Sequence, residues 1–143
     1  MPCTYRIESG LNLVIKVYWG RVRYTDVLNM LDAMEDDPVF RDGMMELDDL
    51  SDVTDLDISK AEVSRFADLI KGLSTRRRRP TKKAVVTRSD AVRMAARNFT
   101  EDVGEGAMLR VGVFDSIDDA LAFLGVPAAA VNPDTPIRPL RPH

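Results

Sequence analysis

Four times along this 143-residue chain a short apolar run gives way to a helix-start signal and then to apolar residues at helical spacing. Leu13–Trp19 precedes Val27, Leu28, Leu31 and Met34, and Met44–Leu47 precedes Val63, Phe66, Ala67 and Ile70. Ala84–Val86 precedes Val92, Ala95, Ala96 and Phe99, and Met108–Phe114 precedes Ala120, Leu121, Phe123 and Leu124. Strands alternating with helices of about ten to fifteen residues are joined by right-handed crossovers into a largely parallel sheet. Ahead of them Tyr5–Glu8 alternates at period two and Ser9-Gly10 marks a turn, which predicts an opening hairpin and so a mixed sheet. The order β-β-α-β-α-β-α-β-α describes one α/β domain of about five strands and four helices. It spans residues 1–126, and the prolines at 133, 136, 139 and 142 mark residues 127–143 as a flexible tail.

The punctuation is specific. Gly20 is expected to end the second strand and Thr25 to cap the first helix, which Pro38 stops near Asp37. Ser59-Lys60-Ala61-Glu62 and Ser116-Ile117-Asp118-Asp119 are capping-box patterns, and Ser89 or Asp90 opens the helix between them. Gly125 and Pro127 close the last helix.

Composition narrows the chemistry. Twenty basic against 23 acidic side chains, with 6% aromatic residues, argue against a nucleic-acid binder. No run approaches the roughly 18 apolar residues of a membrane span, and the first residues carry no apolar signal core, so a cytoplasmic location is expected. The single histidine is His143, on the tail, and the single cysteine is Cys3. Ser-His-Asp, Cys-His and zinc layouts therefore have too few members, and neither Gly-rich phosphate motif is present. The expectation is a protein without catalytic residues, metal or cofactor.

Two charge runs stand out. Glu46, Asp48, Asp49, Asp52, Asp55 and Asp57 place six carboxylates in twelve residues with no base among them. They lack EF-hand spacing and read as a solvated loop beyond a strand end, where α/β sheets receive ligands and partners. Arg76–Arg79 with Lys82 and Lys83 form a basic run, read as a solvated helix-to-strand connection. Its other readings are an anionic membrane surface, an acidic partner, or the acidic loop of a second copy, which would make a salt-sensitive dimer. Met30, Met34, Met44, Met45, Met94 and Met108 read as core filling. Trp19, Met30 and Phe66 are the candidates for lining an apolar pocket.

Asp49-Leu50-Ser51-Asp52-Val53-Thr54-Asp55-Leu56-Asp57-Ile58-Ser59, followed by a helix, resembles the strand-loop-helix segment of STAS domains, the anti-sigma-factor-antagonist fold. The ending Val113-Phe114-Asp115-x-x-Asp118-Asp119-Ala120-Leu121-x-Phe123-Leu124 is similar to the SpoIIAA-like branch, grouped with STAS and CRAL-TRIO folds. The resemblance places Asp57 on the motif aspartate and Ser59 on the serine that a partner kinase phosphorylates in the antagonists. Ile58 and Lys60 stand where that pattern has a serine and a glycine. It implies a non-enzymatic regulatory module that binds a protein partner or itself through the acidic loop 48–57 and the helix from Ser59. Asp49, Asp57, Ser59 and Lys60 are then the candidate phosphoacceptor or partner-binding residues. The CRAL-TRIO side implies the alternative, a module for lipid or another small apolar ligand.

Overall fold

The first two strands, β1 (Cys3–Glu8) and β2 (Leu13–Arg23), pair antiparallel around a tight connection. Asn12 closes it in the left-handed region (φ 54°), its N–H donating to the Ser9 carbonyl at 3.2 Å. In this computed structural model residues 2–76, 80–104, 108–132, 134–135 and 137–139 are described. After the hairpin come α1 (Tyr24–Asp36), β3 (Met45–Asp57), α2 (Lys60–Arg76) and β4 (Thr81–Val86). Then follow α3 (Asp90–Val103), β5 (Leu109–Phe114), α4 (Ile117–Leu124) and a two-residue strand β6 (Arg138–Pro139). The sheet order is β5-β4-β3-β2-β1-β6, with β2 through β5 parallel. This is the expected α/β fold, a mixed and mostly parallel sheet with four helices. The strand not foreseen is β6, which pairs with Thr4 and Tyr5 from within the segment read as a tail.

Alternation along β2 assigns the helices to faces. Val14, Tyr18 and Val22 pack with Met30 and Met34 of α1, whereas Leu13 and Ile15 pack with Ala120, Leu121 and Leu124 of α4. The helices α2 and α3 join through Val63, Ala67, Phe99 and Val103. Ile58 packs against both that group and the α1 group, so α1, α2 and α3 share one face. α4 lies on the other. Gly112 of β5 faces it: a Cβ there would meet Phe114 Cε2 at 2.7 Å and Phe123 Cε1 at 3.3 Å. Gly112→Ala is expected to cost about 1–3 kcal/mol by overpacking. An unchanged urea midpoint would show that the two rings yield.

Several local expectations are corrected. Gly20 does not end β2; it sits at φ 64° beside a register shift, and the strand runs on to Arg23. Thr25 lies inside the first turn of α1, which opens where the Arg23 N–H donates to the Asp26 carboxylate at 2.8 Å. Met30, not Leu28, is the fully buried partner of Met34. Met94 and Met108 are 64% and 39% exposed and fill no core. Of the two candidate caps for α3, Ser89 takes the role, accepting from the Val92 N–H.

The largest correction concerns the acidic run. It is no loop: β3 continues through Asp57 and pairs in parallel with the whole of β2. Two register shifts, between Val17 and Trp19 and between Gly20 and Arg21, each place one extra residue on β3. Such bulges break strict alternation, and the core-facing positions become Leu50, Val53, Leu56 and Ile58. Between them Ser51, Asp52, Asp55 and Asp57 are exposed. Arg77–Arg79 and His143 lie outside the described residues.

Candidate functional site

Three buried charges and one partly buried one meet on the sheet face beneath α1, α2 and α3. Lys16 of β2 pairs in register with Asp48 of β3, and Glu46 of β3 with Lys83 of β4. Period-two geometry turns all four side chains the same way. Lys16 Nζ lies 3.3 Å from Glu46 Oε1 and 3.8 Å from Asp48 Oδ1. Lys83 Nζ lies 3.1 Å from Asp48 Oδ2 and 3.5 Å from Glu46 Oε2. The side chains of Lys16, Asp48 and Lys83 are 4%, 8% and 9% exposed, so these ions are removed from water as a set. Glu46, Asp48 and Lys83 are thus not the solvated charges that their place in the two runs suggests.

The Lys83 ammonium also lies over the rings of Phe66 and Phe99, 5.5 and 5.3 Å from their centroids. Burial alone would push its proton off, but the carboxylates of Asp48 and Glu46 outweigh burial and hold its pKa above the ordinary lysine value. Tyr18 is buried beside them. Burial first, and the Asp48 carboxylate second, raise its pKa well above 10, so the phenol stays neutral. A lysine held protonated and a tyrosine held neutral offer no base for proton abstraction near pH 7.

Above this floor is a cavity of about 120 Å³. Tyr18 and Val22 of β2 and Val27 and Leu31 of α1 wall one side; Val63 and Phe66 of α2 and Val92, Ala95 and Phe99 of α3 wall the other. The walls are apolar, and polar groups enter from the floor through Lys16, Asp48 and Lys83. Asp48 Oδ1 is buried and has no hydrogen-bond partner.

The residues singled out from the sequence fall in three places. Phe66 lines the cavity. Met30, 1% exposed, packs from α1 into the core with Val14, Tyr18 and Val22 of β2 and is not part of the cavity wall. Trp19 is 39% exposed on the face that carries α4. Asp57, Ser59 and Lys60 gather where β3 passes into α2, and all three are exposed. Asp49 is eight residues up the strand, paired with Val17 where Asp57 pairs with Arg23, roughly 20 Å away at the ordinary rise of β2, and its carboxylate accepts from the Ser51 N–H at 3.0 Å.

Ser59 makes both halves of a capping box. Its Oγ accepts from the Glu62 N–H at 3.1 Å, and its own N–H donates to Glu62 Oε1 at 2.9 Å. Asp57 is held by Arg21, whose Nη2 donates to Asp57 Oδ2 at 2.6 Å, and that bond raises the arginine's pKa. Ser59→Ala removes one capping acceptor and is expected to cost about 1 kcal/mol. In a domain of this size that is a fall of roughly 2–4 °C in Tm; calorimetry showing no fall would mean the cap is dispensable.

Lys16 and Tyr18 were not singled out from the sequence, and Glu46, Asp48 and Lys83 were read there as solvated members of the two charge runs. The signal was present: one lysine inside each of two apolar parallel strands, facing two carboxylates spaced two residues apart on the strand between them.

A DUF3478-family protein with a SpoIIAA-like fold, from Shewanella loihica PV-4, is similar to this chain in structure. The match has a TM-score of 0.52 and 14% sequence identity, covering 78% of this chain and 83% of that one. No protein-family model and no curated protein matches the sequence. The fold is accordingly SpoIIAA-like, as the strand-loop-helix and C-terminal motifs imply.

Proposed function

We propose that this chain is a non-enzymatic SpoIIAA-like binding module whose working part is the cavity between α1 and the α2–α3 pair, and that it takes a small apolar ligand. The observation that carries this reading is an apolar-walled cavity set directly over a buried, charge-balanced floor. Protein interiors ordinarily close such space by packing, and a pocket with apolar walls and a few convergent polar groups is the usual form of a ligand site. Among the described residues no helix is long and apolar enough to cross a membrane.

The test is a methyl-resolved NMR titration of the full chain with toluene. Shifts are expected at Leu31, Val63 and Val92, which line the cavity, and are expected to vanish in Ala95→Leu, which fills it. No shift up to the solubility limit of toluene would overturn the reading.

A second reading rests on the exposed Ser59 hydroxyl at the start of the 17-residue helix α2. A phosphate there would meet the helix N-terminus, favourable by about 0.3–1 kcal/mol, and also the nearby Asp55 and Asp57 carboxylates, which oppose it. On this reading the module presents the Asp57–Ser59–Lys60 corner to a protein partner or a second copy. Its mark would be a phosphate on the protein from its own host that is absent from Ser59→Ala.

A further inference from the structure

We infer that the cavity selects a neutral, ring-sized molecule that carries one hydroxyl or N–H donor, of the phenol or indole kind, anchored on Asp48 Oδ1. The inference rests on the cavity being a ligand site and adds what the ligand must be. Three features of the floor and walls lead to it.

The first is charge. Lys16 and Lys83 balance Glu46 and Asp48, so the buried set is neutral. A cationic or anionic guest would add one uncompensated charge beside this balanced floor, a situation disfavoured where charges are held out of water.

The second is the unused acceptor. The Asp48 side chain is 8% exposed, lines the cavity, and has one oxygen, Oδ1, without a hydrogen bond. Lys16 Nζ, its nearest counter-ion on that side, is 3.8 Å away and beyond hydrogen-bond reach. An ionised carboxylate only accepts, so the guest that completes this floor brings a donor. A hydrogen bond to a buried charged group is among the stronger kinds.

The third is size. A cavity of about 150 Å³ lined by aliphatic and aromatic groups holds benzene, and the present one is about 120 Å³. One ring is enough to fill that volume. Val63, Val92, Phe66 and Phe99 supply the apolar surround.

The experiment compares phenol with toluene and anisole, which have nearly the same shape without the donor, and with benzoate and benzylammonium, which add a charge. All are titrated into the full chain and followed at the cavity methyls. Phenol is expected to bind at least about tenfold more tightly than toluene or anisole, and the two ions more weakly than phenol. If toluene and phenol bind equally, the cavity is a ligand site but the donor requirement is wrong. If benzoate or benzylammonium binds best, the neutrality argument is wrong. If no probe reaches the cavity methyls, the ligand reading itself fails and this inference with it.

Discussion

Lys83→Ala is expected to destabilise the protein by about 3–5 kcal/mol, the range for removing one partner of a buried ion pair. The ammonium is the counter-ion that approaches Asp48 most closely, at 3.1 Å, and it also reaches Glu46 at 3.5 Å. Removing it takes one of the two ammonium groups from the two carboxylates, and the net charge of the four-residue set becomes −1. The ring faces of Phe66 and Phe99 lose their cation at the same time. Chemical denaturation measures the loss. Lys83→Met combined with Glu46→Gln restores neutrality and is expected to recover much of it, because a buried pair exchanged for uncharged groups of similar volume is often nearly neutral. A cost below about 1 kcal/mol for Lys83→Ala would place the four charges in water, as for surface pairs, and would dissolve the floor on which the ligand argument stands.

Stability is expected to fall by on the order of 2 kcal/mol between pH 9 and 11, through Cys3. Burial in β1, and secondarily the Asp26 carboxylate, push the thiol from 9.0 up to about 11. Above pH 9 the unfolded chain sheds this proton while the folded chain keeps it. The folded state then binds more protons, and rising pH favours unfolding until the folded thiol itself ionises near pH 11. Tyr18, raised above its ordinary value of 10.0 by burial and by Asp48, adds to the decline from pH 10 upward. The raised pKa of Lys83 acts in the same direction above pH 10.5. Urea midpoints measured from pH 8 to 11 check the slope. In Cys3→Val the decline is expected to begin about one pH unit later, with the ionisation of Tyr18 in the unfolded chain. A midpoint that stays level from pH 9 to 11 in the wild type would mean that these groups ionise in the folded protein as they do in water.

The elements that were legible in the sequence are those that obey one period. α2, α3 and α4 follow helical spacing behind a side-chain cap at Ser59, Ser89 and Ser116, and each cap is made as the residue pattern implies. Gly125, at φ 74°, ends α4 as expected. β3 was only half legible because its bulges turn an alternating pattern into Leu50-x-x-Val53-x-x-Leu56, which matches neither strand nor helix. With carboxylates filling the gaps, the segment reads as a solvated turn, yet its backbone is paired with β2 throughout.

Of the candidate site, Phe66 was identified from helical spacing alone, and Ser59 from its capping box. The charged floor was not, for a physical reason. Hydropathy counts a lysine or a carboxylate as solvent-facing, and only strand register shows that Lys16, Glu46, Asp48 and Lys83 neutralise one another. Trp19 was misjudged because β2 outruns the cover on its far face, so a large apolar residue at that position stays exposed. The same register that buries Lys16 two residues after Val14 sends Trp19 to the α4 side.

The most direct measurement of the central claim is native mass spectrometry of the full chain purified gently from its own host, alongside Ala95→Leu. The wild type is expected to carry a small neutral adduct that is released on denaturation and is absent from Ala95→Leu. A bare wild-type mass, or a mass raised only by a phosphate that Ser59→Ala abolishes, would contradict it and move the working surface from the cavity to the Ser59 corner.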